Sequence, residues 1–149
     1  MIEPIEQLQT TLKQYGQSVT NTRRIVFAAL QDKEPQTMHE VVAACAGQAD
    51  RASVYRTIAL YEQLGIVQRL QMGWKYKLEL SDAFHHHHHH LTCLKCGKII
   101  PLPEDTQLEK HLTTLAQHAN FLTQGHQLEI QGLCPTCQLT TNEGKEQPA

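Results

Sequence analysis

Apolar positions in the first part of the chain recur at helical spacing. Ile5, Leu8, Leu12 and Tyr15 lie three or four residues apart and predict one face of a first helix that ends near Gly16. A second helix is expected from a Thr20 cap to Leu30, with Ile25, Val26, Ala29 and Leu30 apolar and Arg23 and Arg24 in its first half. Pro35 breaks the pattern. Thr37 and Glu40 have capping-box spacing and open a third helix over Val41, Val42 and Cys45, stopping by Gly47. A fourth begins at an Asp50 cap, carries Ala52, Val54, Tyr55, Ile58 and Leu64, and ends at Gly65, a residue suited to a left-handed stop.

Beyond Gly65 the period changes to two. Ile66, Val67 and Leu70, then Trp74, Tyr76, Leu78 and Leu80, flank Met72-Gly73 and predict a two-stranded hairpin. Helices followed by a small hairpin describe a winged helix-turn-helix, whose fourth helix would enter a major groove while the hairpin lies beside the backbone. Residues 81–84 read as a short joint. After it, His90 to Cys93 and Lys98 to Leu102 predict strands around a C-x-x-C turn. Asp105 to His118 predicts a helix through Leu108, Leu112 and Leu115, and Leu128 to Leu133 another strand. The expected fold class is α+β: a winged-helix domain over 1–80, a hinge at 81–84, a small α+β domain over 85–138 and a disordered tail over 139–149. The few strands of the second domain have little to cover them, which predicts an oligomer interface.

Composition narrows the function classes. At 149 residues with 40% hydrophobic, 19% charged and 5% aromatic, the chain supports a modest aliphatic core and excludes a large multidomain enzyme. No apolar run approaches the roughly 18 residues that span a bilayer, and MIEPIEQLQ lacks the basic and apolar regions of a signal peptide. A cytoplasmic protein without a membrane partner is expected. Residues 1–80 carry nine Lys or Arg against eight Asp or Glu, and residues 81–149 four against seven. That balance is too even to imply nucleic-acid binding by itself, so a DNA reading must rest on a motif.

Cysteine and histidine supply the chemistry. Cys93-Leu94-Lys95-Cys96 and Cys134-Pro135-Thr136-Cys137 are two C-x-x-C turns, and four thiolates complete the closed tetrahedral shell of a structural Zn²⁺. Cys45, among Val and Ala on a predicted helix, reads instead as a small buried hydrophobe. Six of the ten histidines run consecutively from His85 to His90, inside the chain rather than at a terminus, where an affinity tag would sit. On a strand, His86, His88 and His90 would face one side and His85, His87 and His89 the other, so one segment can feed two metal sites. Glu79, Glu109 and His126 are candidate partners. Mixed nitrogen and oxygen donors suit Zn²⁺ or Fe²⁺ rather than Ca²⁺ or Mg²⁺. His39, His111 and His118 read as solvated surface residues.

Several motifs in order resemble the ferric uptake regulator (Fur) family of metal-responsive bacterial repressors. They are Val19-Thr20-x-x-Arg23, Ala52-Ser53-Val54-Tyr55-Arg56-Thr57, Leu64-Gly65-Ile66-Val67, the His run ahead of Leu91-Thr92-Cys93-x-x-Cys96-Gly97, and Gly132-Leu133-Cys134-x-x-Cys137, together covering residues 16–137. The resemblance implies an N-terminal winged helix, a C-terminal dimerisation domain, and a dimer that grips a palindromic operator when its sensor metal is bound. It assigns Cys93, Cys96, Cys134 and Cys137 to structural zinc and His87, His89, Glu109 and His126 to a further site. Glu79, His88 and His90 match a hinge site, commonly the regulatory one.

Three positions depart from the family pattern. His89 stands where Asp is frequent, and Pro35-Gln36 stand where members usually bring a histidine to the hinge shell, leaving water or His86 to complete it. Pro101 replaces the aspartate of the peroxide-sensing branch.

The function expected is therefore an iron- or zinc-dependent repressor of metal-homeostasis genes, acting on double-stranded operator DNA. Ser53, Tyr55 and Arg56 would lie near bases or phosphates, and Arg23, Arg24 and Arg51 near the backbone. Tyr55 either reads a thymine methyl or braces the helix from the core. The alternative is a zinc buffer or carrier module without DNA binding, which the His run and weak net charge favour. No enzyme and no small-molecule substrate are expected: the four cysteines close one site, and neither H-E-x-x-H nor a nucleophile arrangement is present.

Overall fold

A computed structural model describes residues 2–141. They divide into two compact units, with the boundary between His86 and His87. His85 and His86 thus group with the first unit rather than opening the second.

The first unit holds α1 (Pro4–Gln14), α2 (Asn21–Leu30), α3 (Met38–Ala44) and α4 (Arg51–Gln63), then β1 (Val67–Met72) and β2 (Lys75–Leu80). Helices α2, α3 and α4 each start where a side chain satisfies an otherwise orphaned backbone N–H, whereas α1 opens on Pro4 with no side-chain cap. Thr20 Oγ1 accepts from Arg23 N at 3.2 Å, and Asp50 Oδ2 accepts from Ser53 N at 3.2 Å. Thr37 and Glu40 form the reciprocal capping box, with Thr37 N donating to Glu40 Oε2 at 2.7 Å. Gly65 ends α4 at φ +71°, and Ile66 N donates back to Tyr61 O at 2.8 Å.

The apolar faces meet in one core. Leu8 and Leu12 of α1, Val26, Phe27 and Leu30 of α2, Val41 of α3, and Val54, Ile58 and Tyr61 of α4 are buried with Ile66, Val67, Leu78 and Leu80. Cys45 is fully buried among them. The Tyr61 hydroxyl donates to Arg23 O at 2.6 Å, tying α4 to the start of α2, and burial pushes its pKa up.

β1 and β2 pair antiparallel from Val67↔Leu80 to Met72↔Lys75, so the connection is Gly73-Trp74. Sequence alternation placed Trp74 in a strand, but Gly73 at φ +61° takes the first central position of the turn and moves Trp74 to its tip. Gln36, just after Pro35, bridges Leu78 and extends the hairpin by one isolated pair. This is the winged helix-turn-helix arrangement.

The second unit holds β3 (His89–Cys93), β4 (Ile99–Leu102), α5 (Thr106–His118), β5 (Glu129–Gly132) and α6 (Pro135–Thr141). Its sheet has the order β4-β3-β5, with β4 antiparallel and β5 parallel to β3. Pro101, which lacks an N–H, lies on the edge strand β4 opposite His90. Asp105 caps α5 by accepting from Gln107 N and Leu108 N. Helix α6 takes up residues 139–141 of the segment expected as a disordered tail; residues 142–149 lie outside the described residues.

Candidate metal centres

The second unit gathers two donor sets. Cys93 ends β3, Cys96 follows it across a tight turn in which Gly97 adopts φ +74°, Cys134 precedes α6 and Cys137 lies on its first turn. One long-range contact brings the turns together, Leu94 N donating to Gly132 O at 2.8 Å, while Cys93 N closes the first turn by donating to Lys98 O at 2.9 Å. The four sulfurs lie within 4.8 Å of one another, with Cys96 Sγ and Cys134 Sγ 3.8 Å apart. A tetrahedral shell with zinc–sulfur bonds of about 2.3 Å has edges of about 3.8 Å, so the cluster fits zinc. The backbone N–H groups of Cys134 and Cys96 hold the Cys93 thiol down to about 6, a thiolate at neutral pH. Cys137 is pushed up, first by its hydrogen bond to the Cys134 sulfur and then by burial. Cys93 and Cys137 are thus shifted in opposite directions, and loading a full thiolate shell releases the proton that Cys137 holds.

The second set combines three imidazoles and a carboxylate. His89 is 2% exposed on β3, His87 precedes the strand, Glu109 lies on the first turn of α5, and His126 stands in the segment before β5. Glu109 Oε1 is 2.6 Å from His89 Nε2 and 3.5 Å from His87 Nε2, while Glu109 Oε2 is 3.1 Å from His126 Nε2. His87 Nε2 and His126 Nε2 are 3.1 Å apart. Three ring nitrogens aimed at one point, two of them facing each other, form a poor hydrogen-bond network but a good donor shell. Zinc–nitrogen bonds of about 2.0–2.1 Å give tetrahedral edges of about 3.3 Å, close to these separations. Burial alone pushes the Glu109 carboxyl up, but the His89 hydrogen bond and the neighbouring His126 and His87 charges outweigh it and bring its pKa below the ordinary value.

The rest of the His run is less regular than alternation predicts, because the strand starts only at His89. His88 and His90 still share a side, their ring centroids 4.6 Å apart, and His90 is buried. His86 lies outside the strand, its carbonyl oxygen 2.9 Å from His85 Nδ1, and the other His85 nitrogen contacts Leu80 O. Glu79, on β2, is buried and accepts from Gln68 Nε2 at 2.7 Å. Sequence reading missed Gln68. The hairpin register, which sets it opposite Glu79, is the signal that locates it.

In the first unit, α4 turns Arg51, Ala52, Tyr55, Arg56 and Ala59 outward along one face. Tyr55 is 42% exposed and its hydroxyl lies 3.4 Å from Arg51 Nη2, so it does not brace the core. Arg56 Nη2 donates to Ser53 Oγ at 3.2 Å. Thr20, Arg23, Ser53 and Arg56 line a shared hollow between α2 and α4. Arg23 is partly committed, donating to Ser18 O and Gln17 Oε1, while Arg24 is exposed. His39, His111 and His118 are exposed. No described helix is long and apolar enough to cross a membrane.

Comparison with known proteins agrees with this architecture. The family model described as "Ferric uptake regulator family" matches residues 14–131. The ferric uptake regulation protein of Escherichia coli K12 is 31% identical over 131 residues, spanning 84% of this chain and 86% of its own. Among solved structures, the Pseudomonas aeruginosa ferric uptake regulator with manganese superposes with a TM-score of 0.73 at 25% identity, over 91% of this chain and 99% of that one. The Vibrio cholerae ferric uptake regulator does so with a TM-score of 0.67 at 29% identity, over 85% and 98%.

Proposed function

The chain belongs to the ferric uptake regulator family of metal-responsive transcription regulators, and from that premise we propose that it is a cytoplasmic, dimeric repressor that binds palindromic operators when loaded with iron or zinc. The observation that carries the reading is the pairing of two complete donor sets in the second unit with a winged helix whose α4 presents Arg51, Tyr55 and Arg56 outward. Its targets are metal-homeostasis genes, and neither a membrane nor a small-molecule substrate is involved.

Cys93, Cys96, Cys134 and Cys137 hold structural Zn²⁺. A second copy covers the open sheet of the second unit: Ile130 is 51% exposed, and Leu91, Ile100 and Leu133 line a hollow beside it. Helix α4 enters the major groove with Ser53, Tyr55 and Arg56 at bases or phosphates, while Arg23, Arg24 and Arg51 meet the backbone.

His87, His89, Glu109 and His126 form one further Fe²⁺ or Zn²⁺ site. The hinge site takes Glu79, His88 and His90, completed by water or His86. A bound divalent ion supplies a charge that fixes the separation of its donors. The hinge donors come from both sides of the joint between domains. Their occupancy is therefore linked to the orientation of the recognition helices, and metal and operator each raise the other's affinity. Water in the shell weakens binding, whereas His86, another nitrogen, favours zinc.

The test is a mobility-shift titration with Zn²⁺ and Fe²⁺ in turn, using duplexes from a randomised palindromic pool. The H88A/H90A chain is expected to lose the metal response, and the H87A/H126A chain to keep part of it. The reverse outcome assigns sensing to the site of His87, His89, Glu109 and His126. Affinity indifferent to metal in the wild type contradicts the repressor reading.

A further inference from the structure

Positive charge in the first unit is concentrated rather than spread. Residues 69–77 of the wing, RLQMGWKYK, contain Arg69, Lys75 and Lys77 and no acidic residue, whereas the remainder of residues 1–80 carries six cations against eight anions. At the tip stands Trp74, the chain's single tryptophan, 85% exposed in the Gly73-Trp74 turn. Lys75 Nζ lies 4.9 Å from its ring centroid. Further down the hairpin, Arg69 pairs with Glu62 and stacks over Tyr76 at 4.0 Å, which stiffens the base of the wing against α4.

An indole held in water at a hairpin tip contributes nothing to the core. The group stacked on it is a cation, Lys75, rather than the apolar ring that surrounds a protein–protein anchor. A surface that offers apolar sugar walls between two rails of phosphate matches it better. The duplex minor groove is such a surface, about 6 Å wide, and it accepts apolar wedges flanked by lysines.

We propose that the wing tip is a second DNA-reading element of this regulator. Trp74 packs against the deoxyribose walls of the minor groove beside the major groove entered by α4, and Lys75 and Lys77 meet the adjoining phosphates. The inference rests on the DNA-binding reading above and adds a specificity to it. A·T-rich flanks narrow the minor groove and deepen its negative potential, so Trp74 and its lysines favour A·T over G·C pairs at the operator flank without a base-specific hydrogen bond.

The experiment uses the full chain with Zn²⁺ and two duplexes that share one core selected from a randomised palindromic pool, one flanked by A·T and one by G·C pairs. Because Trp74 is the sole indole, emission excited at the tryptophan band reports on the wing alone. The A·T-flanked duplex is expected to quench and blue-shift it and to bind more tightly than the G·C-flanked one. W74A should lower affinity for the A·T-flanked duplex about tenfold and erase the difference between flanks, while W74F keeps most of both. K77A should reduce the slope of log affinity against log salt by about one, a slope that W74A leaves unchanged. Duplex binding without an emission change, and with W74A equal to the wild type, overturns the wing assignment and leaves the repressor reading standing. An emission shift that follows chain concentration without DNA assigns Trp74 to a contact between copies and also overturns it. Failure of the wild type to bind either duplex overturns both.

Discussion

The two units reach stability by different routes. The first buries aliphatic and aromatic side chains from all four helices and both wing strands in one core, including Leu8, Leu12, Phe27, Val54 and Tyr61. In the second, the buried residues of β3 are His89, His90, Thr92 and Cys93, and α5 buries none of its side chains. A unit of that size with so little apolar burial lies below what a hydrophobic core alone sustains, and in the proposed reading coordination and a second copy supply the difference. The winged-helix unit is thus a self-sufficient scaffold, and the proposed function makes the second unit one whose order depends on what it binds.

The sharpest way to break the contrast is to remove a sulfur. Cys93→Ser or Cys137→Ser should cost on the order of 10 kcal/mol of metal-coupled folding free energy, leaving the second unit unfolded or monomeric. Metal analysis with sedimentation checks this; the wild type should keep about one zinc per chain through mild chelation, and a stable zinc-free dimer would refute the claim. In the first unit, Phe27→Ala should cost about 3–5 kcal/mol by leaving a cavity, measurable by urea denaturation, with zinc content unchanged. Arg56→Ala touches neither source of stability and should instead weaken operator binding by about 1–3 kcal/mol at fixed salt, with thermal stability preserved.

The smallest effect concerns a cap. Thr37→Ala should cost about 1 kcal/mol, since Thr37 and Glu40 satisfy each other's backbone donors. The Thr37 backbone N–H holds the Glu40 carboxyl below its ordinary pKa despite some burial. Its contribution is therefore complete above the ordinary carboxylate range and is lost as pH falls through the lowered value. Acid denaturation of the wild type and of Glu40→Gln should converge at low pH.

These two kinds of stability also explain what was legible in the sequence. Thr20, Thr37 with Glu40, and Asp50 all cap the helices they were expected to open, because capping is a contact across three residues and needs no tertiary context. The two C-x-x-C turns were legible for the same reason, as pairs of local turns, although the approach of Cys96 to Cys134 depends on distant chain segments. The start of β3 was legible to within one residue, His90 expected and His89 observed, although six identical residues carry no alternation and it is the pairing with Leu102 and Glu129, far along the chain, that fixes it. Trp74 was misread as a strand residue because its hydrophobicity fitted the alternation, while the positive φ of Gly73 decided where the chain turns. The bridge from Gln36 to Leu78 is a single pair, too short for any periodicity to announce.

Hydrogen exchange on the full chain, with zinc bound and after chelation under reducing conditions, tests the contrast most directly. Amides of α1 to α4 and the wing should exchange equally slowly in both states, while those of β3, β4 and β5 lose protection together when zinc is removed. Protection lost to the same extent in both units, or retained in both, would contradict the division between a unit held by its core and a unit held by its metal.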